Sequence, residues 1–188
     1  MNKGNLIVLC GPSGAGKGSV EKLFLNDPKY NFYFSISVTS REPRANEVNH
    51  QNYHFLTKKD FKEKIKNNDF LEWAKFINNY YGTPIEPIEK NLVAGKNIFL
   101  EIEIKGVLQV IKKMPEAITI FLSPPSIDDL RERLYNRNTE NNKLIEKRIK
   151  QANIELRHQN IFDYVVVNND VEESAKKIRE ILDKELNV

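Results

Sequence analysis

Residues 6–20 read LIVLCGPSGAGKGSV, and this segment limits the possible folds more than any other. Leu6-Ile7-Val8-Leu9-Cys10 is a branched apolar run with the length of a buried strand, and it breaks into Gly11-Pro12-Ser13-Gly14-Ala15-Gly16-Lys17 just ahead of a helical pattern. In such a strand–loop–helix, glycines let backbone N–H groups turn inward around an anion. The helix N-terminus adds partial positive charge, and Lys17 reaches terminal phosphates. The spacing Gly11-x4-Gly16-Lys17 is that of a loop for a nucleoside triphosphate. Gly18 occupies the place where Ser or Thr would ligate Mg²⁺, and the next hydroxyl is on Ser19, so contact with the metal through water is expected.

A chain of 188 residues suits one domain, or one core carrying small insertions. Further strand-like runs lie at Phe34 to Val38, Ile98 to Glu103, Ile118 to Leu122 and Tyr164 to Asn168, mostly separated by helical stretches. That alternation predicts an α/β fold, with a mainly parallel five-stranded sheet flanked by helices. Thr57-Lys58-Lys59-Asp60 and Ser126-Ile127-Asp128-Asp129 resemble capping boxes with Asp in place of Glu or Gln, and Gly95 closes a helix beginning near Pro84. Two regions interrupt the pattern. Residues 37–88 hold short strands (Tyr53 to Phe55, Phe70 to Phe76) around one helix and read as an inserted subdomain. Residues 126–157 are helical and Arg-rich, break at Asn136 to Asn142, and read as a flap. The core is then 1–36, 89–125 and 158–188.

Composition excludes several classes. With 40% hydrophobic and 29% charged residues the chain reads as a globule, and a net charge of +3 does not by itself imply nucleic-acid binding. No apolar run approaches the roughly 20 residues that cross a bilayer. The first apolar stretch flows into the phosphate loop instead of a cleavage site, which predicts a cytoplasmic protein. Cys10 is the single cysteine, so no internal disulfide forms, and three His with one Cys show no zinc spacing.

Four constellations bear on chemistry. Arg41-Glu42-Pro43-Arg44 sets two guanidinium forks three residues apart, suited to a monophosphate dianion; a solvated basic loop has the same spacing. Ser37, Tyr53 and Tyr81 supply hydroxyls in the same region. Glu72, amid Phe70, Leu71 and Trp73, could accept the paired N1–H and N2–H₂ of guanine, or it could face water from a strand. Glu101 and Glu103 are two apart at a strand's C-terminal end, where open α/β sheets bind ligands; they could hold magnesium's water shell or a base edge, or be solvated. Arg131, Arg133, Arg137 and Arg148 crowd the flap, where cations could gather around a transferring phosphoryl group or pair with Glu132, Glu140 and Glu146 on the surface.

In order along the chain, GPSGAGKG at 11–18, SREPRANEV at 40–48, NYHF at 52–55, FLEWAKF at 70–76, NYYGTP at 79–84, LEIEIKG at 100–106 and YVVVNND at 164–170 resemble the guanylate kinases, over essentially the whole chain. The resemblance implies transfer of the ATP γ-phosphoryl group to GMP, and to dGMP, with Mg²⁺, on a core with a GMP-binding subdomain (37–88) and a helical lid (126–157). It assigns Ser37, Arg41, Arg44, Tyr53 and Tyr81 to the GMP phosphate, and Glu72 with Thr83 to guanine. Glu103 falls where the family has an Asp. The loop Gly11, Pro12, Ser13, Gly14, Ala15, Gly16, Lys17, Gly18 and Ser19 is assigned to the ATP phosphates, Asn168 to the neighbourhood of the adenine, and Arg133, Arg137 and Arg148 to the lid, with Lys17, Arg41 and the lid arginines as catalytic cations. Mg²⁺ is expected through water, near Ser19 and Glu101. Lys105, Asn138 and Asn169 depart from the family's Gln, Gly and Asp. A monomer or homodimer with no nucleic-acid or membrane partner is expected. A phosphopeptide-binding module and a kinase for another small phosphate acceptor are the competing readings; the retained Lys17 weighs against the first, and the Glu72–Thr83 pair against the second.

Overall fold

The computed structural model describes residues 3–76, 78–136 and 142–188. In chain order the elements are β1 (Leu6–Cys10), α1 (Lys17–Glu21), β2 (Phe32–Tyr33), β3 (Val38–Thr39), β4 (His54–Phe55), α2 (Lys58–Lys66), β5 (Phe70–Phe76), β6 (Asn79–Pro84), α3 (Ile85–Val93), β7 (Asn97–Glu101), α4 (Ile104–Lys113), β8 (Ile118–Ser123), α5 (Ile127–Asn136), α6 (Asn142–Leu156), β9 (Tyr164–Val167) and α7 (Val171–Leu186). They form a five-stranded sheet in the order β2-β7-β1-β8-β9 and a four-stranded sheet in the order β4-β3-β6-β5. The chain gathers into two compact units, one of Met1–Leu6, Tyr33–Leu100 and Lys105–Ala117, the other of Ile7–Phe32, Glu101–Ile104 and Ile118–Val188.

In the second unit β8 runs parallel to both β1 (Ile7 opposite Ile118, Cys10 opposite Phe121) and β9 (Ile120 opposite Tyr164). All five residues of β1 are buried, as an unbroken apolar run demands when helices cover both faces of a sheet. Leu130 and Leu134 of α5 pack on Ile145, Ile149 and Ala152 of α6, so the Arg-rich region is a pair of helices with its own apolar seam.

The first unit contains the four-stranded sheet. Phe61 of α2 stacks on Phe70 at 4.4 Å and on Tyr80 at 5.4 Å, with Val38, Leu56, Ile65 and Trp73 around them. β5 and β6 are antiparallel, and their register shifts between Phe70 and Glu72: Phe70 faces Pro84, while Glu72 faces Thr83. The extra residue, Leu71, is a bulge. Strict alternation would put Glu72 on the face of Phe70; the bulge moves Glu72 to the opposite face and leaves Phe70 and Trp73 together in the core.

Several sequence expectations need correction. The run Phe34 to Val38 is not one strand: β2 ends at Tyr33 in one sheet, β3 begins at Val38 in the other, and the residues between carry the chain from sheet to sheet. β7 stops at Glu101, and Glu103 lies in the short connection to α4. Both capping boxes are one-sided. Thr57 and Ser126 accept from the N–H of Asp60 and Asp129, but the Asp carboxylates accept from those same hydroxyls and do not reach back to the capping residue's N–H. Finally, α1 has only five residues, so the loop's own N–H groups carry the anion preference rather than a long helix.

Candidate active site

The glycine-rich loop follows β1 and closes on itself through Ala15 N–H to the Pro12 carbonyl at 3.0 Å. Its shape requires glycine at two points. A Cβ on Gly11 would lie 2.2 Å from the Leu122 carbonyl oxygen, and one on Gly16, whose φ is +97°, would lie 2.4 Å from Asn168 Nδ2. The loop borders a cavity of about 310 Å³ whose lining includes Ser13, Gly14, Gly16, Lys17, Ser19 and Glu101. Lys17 Nζ donates to the Gly11 carbonyl at 2.7 Å and sits 3.5 Å from Glu101, with its side chain 14% exposed. The ammonium is thus held over the loop, where an entering phosphate oxygen would replace Glu101 as its anionic partner.

Sequence reasoning assigned no role to Glu21. It is 8% exposed, with Oε1 buried and without a hydrogen-bond partner, and it faces Glu101. Burial, followed by the Glu101 charge, pushes its carboxyl up to about 8. Among the described residues no group of three or more His, Cys, Asp or Glu side chains could hold a metal ion. The donors beside the loop are the Ser19 hydroxyl and Glu101, with Glu21 behind. That sparse oxygen set fits Mg²⁺, which keeps several waters and takes most of its remaining ligands from phosphates.

Asn168 is a buried hydrogen-bonding node of this unit, at 1% exposure. Its Nδ2 donates to the Ala15 carbonyl at 2.7 Å, and its Oδ1 accepts from Ser174 Oγ at 2.9 Å. Its own carbonyl accepts from the Arg133 guanidinium at 2.9 Å. The structure thus sets the Asn168 side chain against the phosphate loop and ties Arg133 to the same point. Arg131 pairs instead with Asp128 and Glu146 and is 45% exposed, a surface role. Arg148 is half-buried on α6, while Arg137 and Asn138 lie outside the described residues. Glu103 is exposed and acts electrostatically on Glu155, whose carboxyl is raised chiefly by burial; burial likewise pushes the Cys10 thiol up to about 12, which makes it inert as a nucleophile.

The four-stranded sheet assembles the other predicted residues. Thr83 Oγ1 donates to Glu72 Oε1 at 2.7 Å across the β5–β6 ladder, with both residues buried. Tyr81, two residues before Thr83 on β6, shares that face. Tyr53 meets the Tyr81 ring edge-on at 6.3 Å, and the Arg41 guanidinium lies 5.6 Å from the Tyr53 ring centre. Ser37 adjoins this group through its carbonyl, which accepts from His54 N–H, and the Arg44 side chain is exposed.

Glu47, also passed over in the sequence, organises the arginines. It takes Arg41 Nη1 and Nη2 at 2.9 and 2.8 Å and accepts the Arg44 N–H at 2.8 Å. Arg41 Nη1 also donates to the Glu42 carbonyl at 2.7 Å. Those contacts take three of the five guanidinium hydrogens, and Tyr81 is a further hydrogen-bond partner of the same side chain. A guanidinium fork matches two oxygens of a phosphate. The Arg41 guanidinium, followed by the Arg44 N–H, holds the Glu47 carboxyl below the usual range.

The family model for guanylate kinase matches residues 3–185. The chain belongs to the guanylate kinase family. It is 47% identical over 180 residues to the guanylate kinase of Bacillus subtilis (strain 168), covering 96% of this chain and 88% of that protein. The crystal structure of guanylate kinase from Anaplasma phagocytophilum superposes with a TM-score of 0.74 at 30% identity, covering 99% of this chain and 88% of that one. The shikimate kinase of Bacteroides thetaiotaomicron, at 17% identity and a TM-score of 0.51 over 95% of this chain and 98% of its own, shares the fold alone. Glu21 had no signal in the sequence beyond being acidic, and Glu47 lay inside the segment 40–48 that resembles the family without a role of its own. Only the fold brings one to Glu101 and the other to Arg41. Among the described residues no helix is long and apolar enough to cross a membrane.

Proposed function

We propose that this chain transfers the γ-phosphoryl group of ATP to GMP, giving ADP and GDP, and does so in the cytoplasm. A GMP phosphate oxygen forms the new bond to the γ-phosphorus while the bond from that phosphorus to the β–γ bridging oxygen breaks. The attacking oxygen is already anionic, so no side-chain base takes part. Positioning and charge carry the rate.

The observation that carries this reading is the Glu72–Thr83 pair on the same face as Tyr81. A buried carboxylate that already accepts from a threonine suits the adjacent donors of guanine, and adenine offers no such pair. On this reading 37–88 is the GMP subdomain, in which Arg41, Arg44, Ser37, Tyr53 and Tyr81 take the phosphate. Glu103 adds a contact to the base. Loop residues 11–19 hold the ATP phosphates, Lys17 spans the terminal ones, and Asn168 braces the loop beneath the nucleotide. Residues 126–157 form a lid whose Arg133, Arg137 and Arg148 draw charge toward the γ-phosphate and exclude water. Mg²⁺ bound with ATP supplies charge neutralisation at the phosphate oxygens; Ser19 and Glu101 would hold it through water.

Two variants separate the halves. Lys17→Ala is expected to lower turnover by orders of magnitude, and near-normal activity removes the loop assignment. Arg41→Ala is expected to raise the KM for GMP far more than that for ATP; equal effects move Arg41 out of the acceptor site.

A further inference from the structure

The imidazole rings of His50 and His54 have no part in the proposed phosphoryl transfer. The sequence shows no zinc spacing, yet the fold brings these two rings together edge-on, with Nδ1 to Nδ1 at 2.7 Å and ring centres 4.9 Å apart. The loop is tightly set. Val48 N–H donates to Asn52 Oδ1, Asn52 N–H to the Val48 carbonyl, and His50 N–H to the Tyr53 carbonyl. His54 is anchored in β4 beside β3. His50 holds φ +66°, a left-handed conformation uncommon outside glycine, so the ring is presented at a backbone cost.

The proton positions follow from Asn49. Its Oδ1 accepts two backbone N–H groups, from His50 and Phe55, each at 3.1 Å, which leaves Nδ2 to donate to His50 Nε2 at 3.2 Å. His50 therefore carries its proton on Nδ1 and donates it to His54 Nδ1, whose lone pair points into the gap. The two Nδ1 atoms thus stand side by side, near the bite of a single cation.

We propose that His50 and His54 form a two-imidazole site for a divalent transition-metal cation of the Ni²⁺ and Cu²⁺ class, bound through both Nδ1 atoms. With metal–nitrogen bonds of about 2.0–2.1 Å, donors at a right angle lie about 2.9 Å apart, close to the spacing present, whereas a tetrahedral angle needs about 3.4 Å. Entry of the cation moves the His50 proton from Nδ1 to Nε2 at the expense of the Asn49 contact, with no net proton lost. Among the described residues no third His, Cys, Asp or Glu joins the pair, so water completes the coordination. The cation would tie residues 50 and 54 together around Tyr53.

The test is a calorimetric titration of the untagged full-length chain with NiCl₂. His50→Gly suits the left-handed backbone and His54→Phe retains ring volume, so both variants keep the loop. Wild type is expected to take up one Ni²⁺ per chain, and each variant to lose at least about tenfold in affinity. His158→Ala, at a ring engaged with the Ile154 carbonyl, is expected to change nothing. Paramagnetic broadening by Ni²⁺ should centre on the amides of 49–55 and gives a second readout on unmutated protein. Wild-type Ni²⁺ affinity in either variant, broadening centred elsewhere, or displacement of Ni²⁺ by Mg²⁺ overturns the proposal.

Discussion

Gly16→Ala tests how tightly the phosphate loop is braced. The new methyl would sit 2.4 Å from Asn168 Nδ2. That nitrogen cannot step aside without cost, because it donates to the Ala15 carbonyl while its amide oxygen accepts from Ser174. Two penalties result. A side chain at φ +97° costs about 1–2 kcal/mol wherever its neighbours are. Displacing the buried carboxamide forfeits its hydrogen bonds, about 1–3 kcal/mol. The single variant should therefore lose about 2–5 kcal/mol. Asn168→Ala alone strands the Ala15 carbonyl and the Ser174 hydroxyl, for about 2–4 kcal/mol. In the double variant the collision has no partner, so only the backbone penalty and the stranded groups remain. Urea unfolding of all four proteins should show the double variant about 1–3 kcal/mol more stable than the sum of the singles predicts. Additivity within about 0.5 kcal/mol would refute the brace.

Other consequences are equally direct. Thr83→Val keeps the shape but removes the donor to Glu72, and urea unfolding should show a loss of about 1.5–3 kcal/mol. Glu72→Gln should weaken the preference for GMP over AMP, and an unchanged ratio of kcat/KM values counts against its role as base reader. Glu47→Gln keeps an acceptor for the Arg44 N–H but frees Arg41, so steady-state kinetics should show the KM for GMP rising on the order of tenfold with kcat less affected. The carboxyl of Glu21, raised from 4.5 to about 8 in the folded chain, binds its proton more tightly there than in the unfolded chain. Its contribution is complete below pH 4.5 and drains away as pH rises toward 8. Glu21→Gln should match wild type near pH 5 and exceed its stability by on the order of 2 kcal/mol by pH 8 in urea unfolding.

Much of this was legible because local chemistry and fold agree. β1 and its loop could be read directly, since an apolar run meeting Gly-rich sequence and Lys17 has few other outcomes. Glu72 was legible as a candidate base reader, and Thr83 joined it only through the resemblance to the family. That they are neighbours depends on the bulge at Leu71, which no alternation rule announces. Phe34 to Val38 misled because a β-rich run can as well carry a chain between two sheets as form one strand. Asn168 read as a nucleotide contact, and its grip on Ala15 arises from a separation of 153 residues that only the folded chain closes. Glu21, Glu47 and the His50–His54 pair were hidden for the same reason: a lone acid or imidazole gains its meaning from the group opposite.

The buried Glu72–Thr83 pair should decide which acceptor the enzyme takes. A coupled assay for ADP formation, with ATP and Mg²⁺ and with GMP, dGMP, AMP, UMP and CMP offered in turn, tests it in one plate. ADP formed with GMP and dGMP alone is the predicted result. Equal turnover of AMP, or no ADP from any acceptor while GMP still binds by calorimetry, would contradict it.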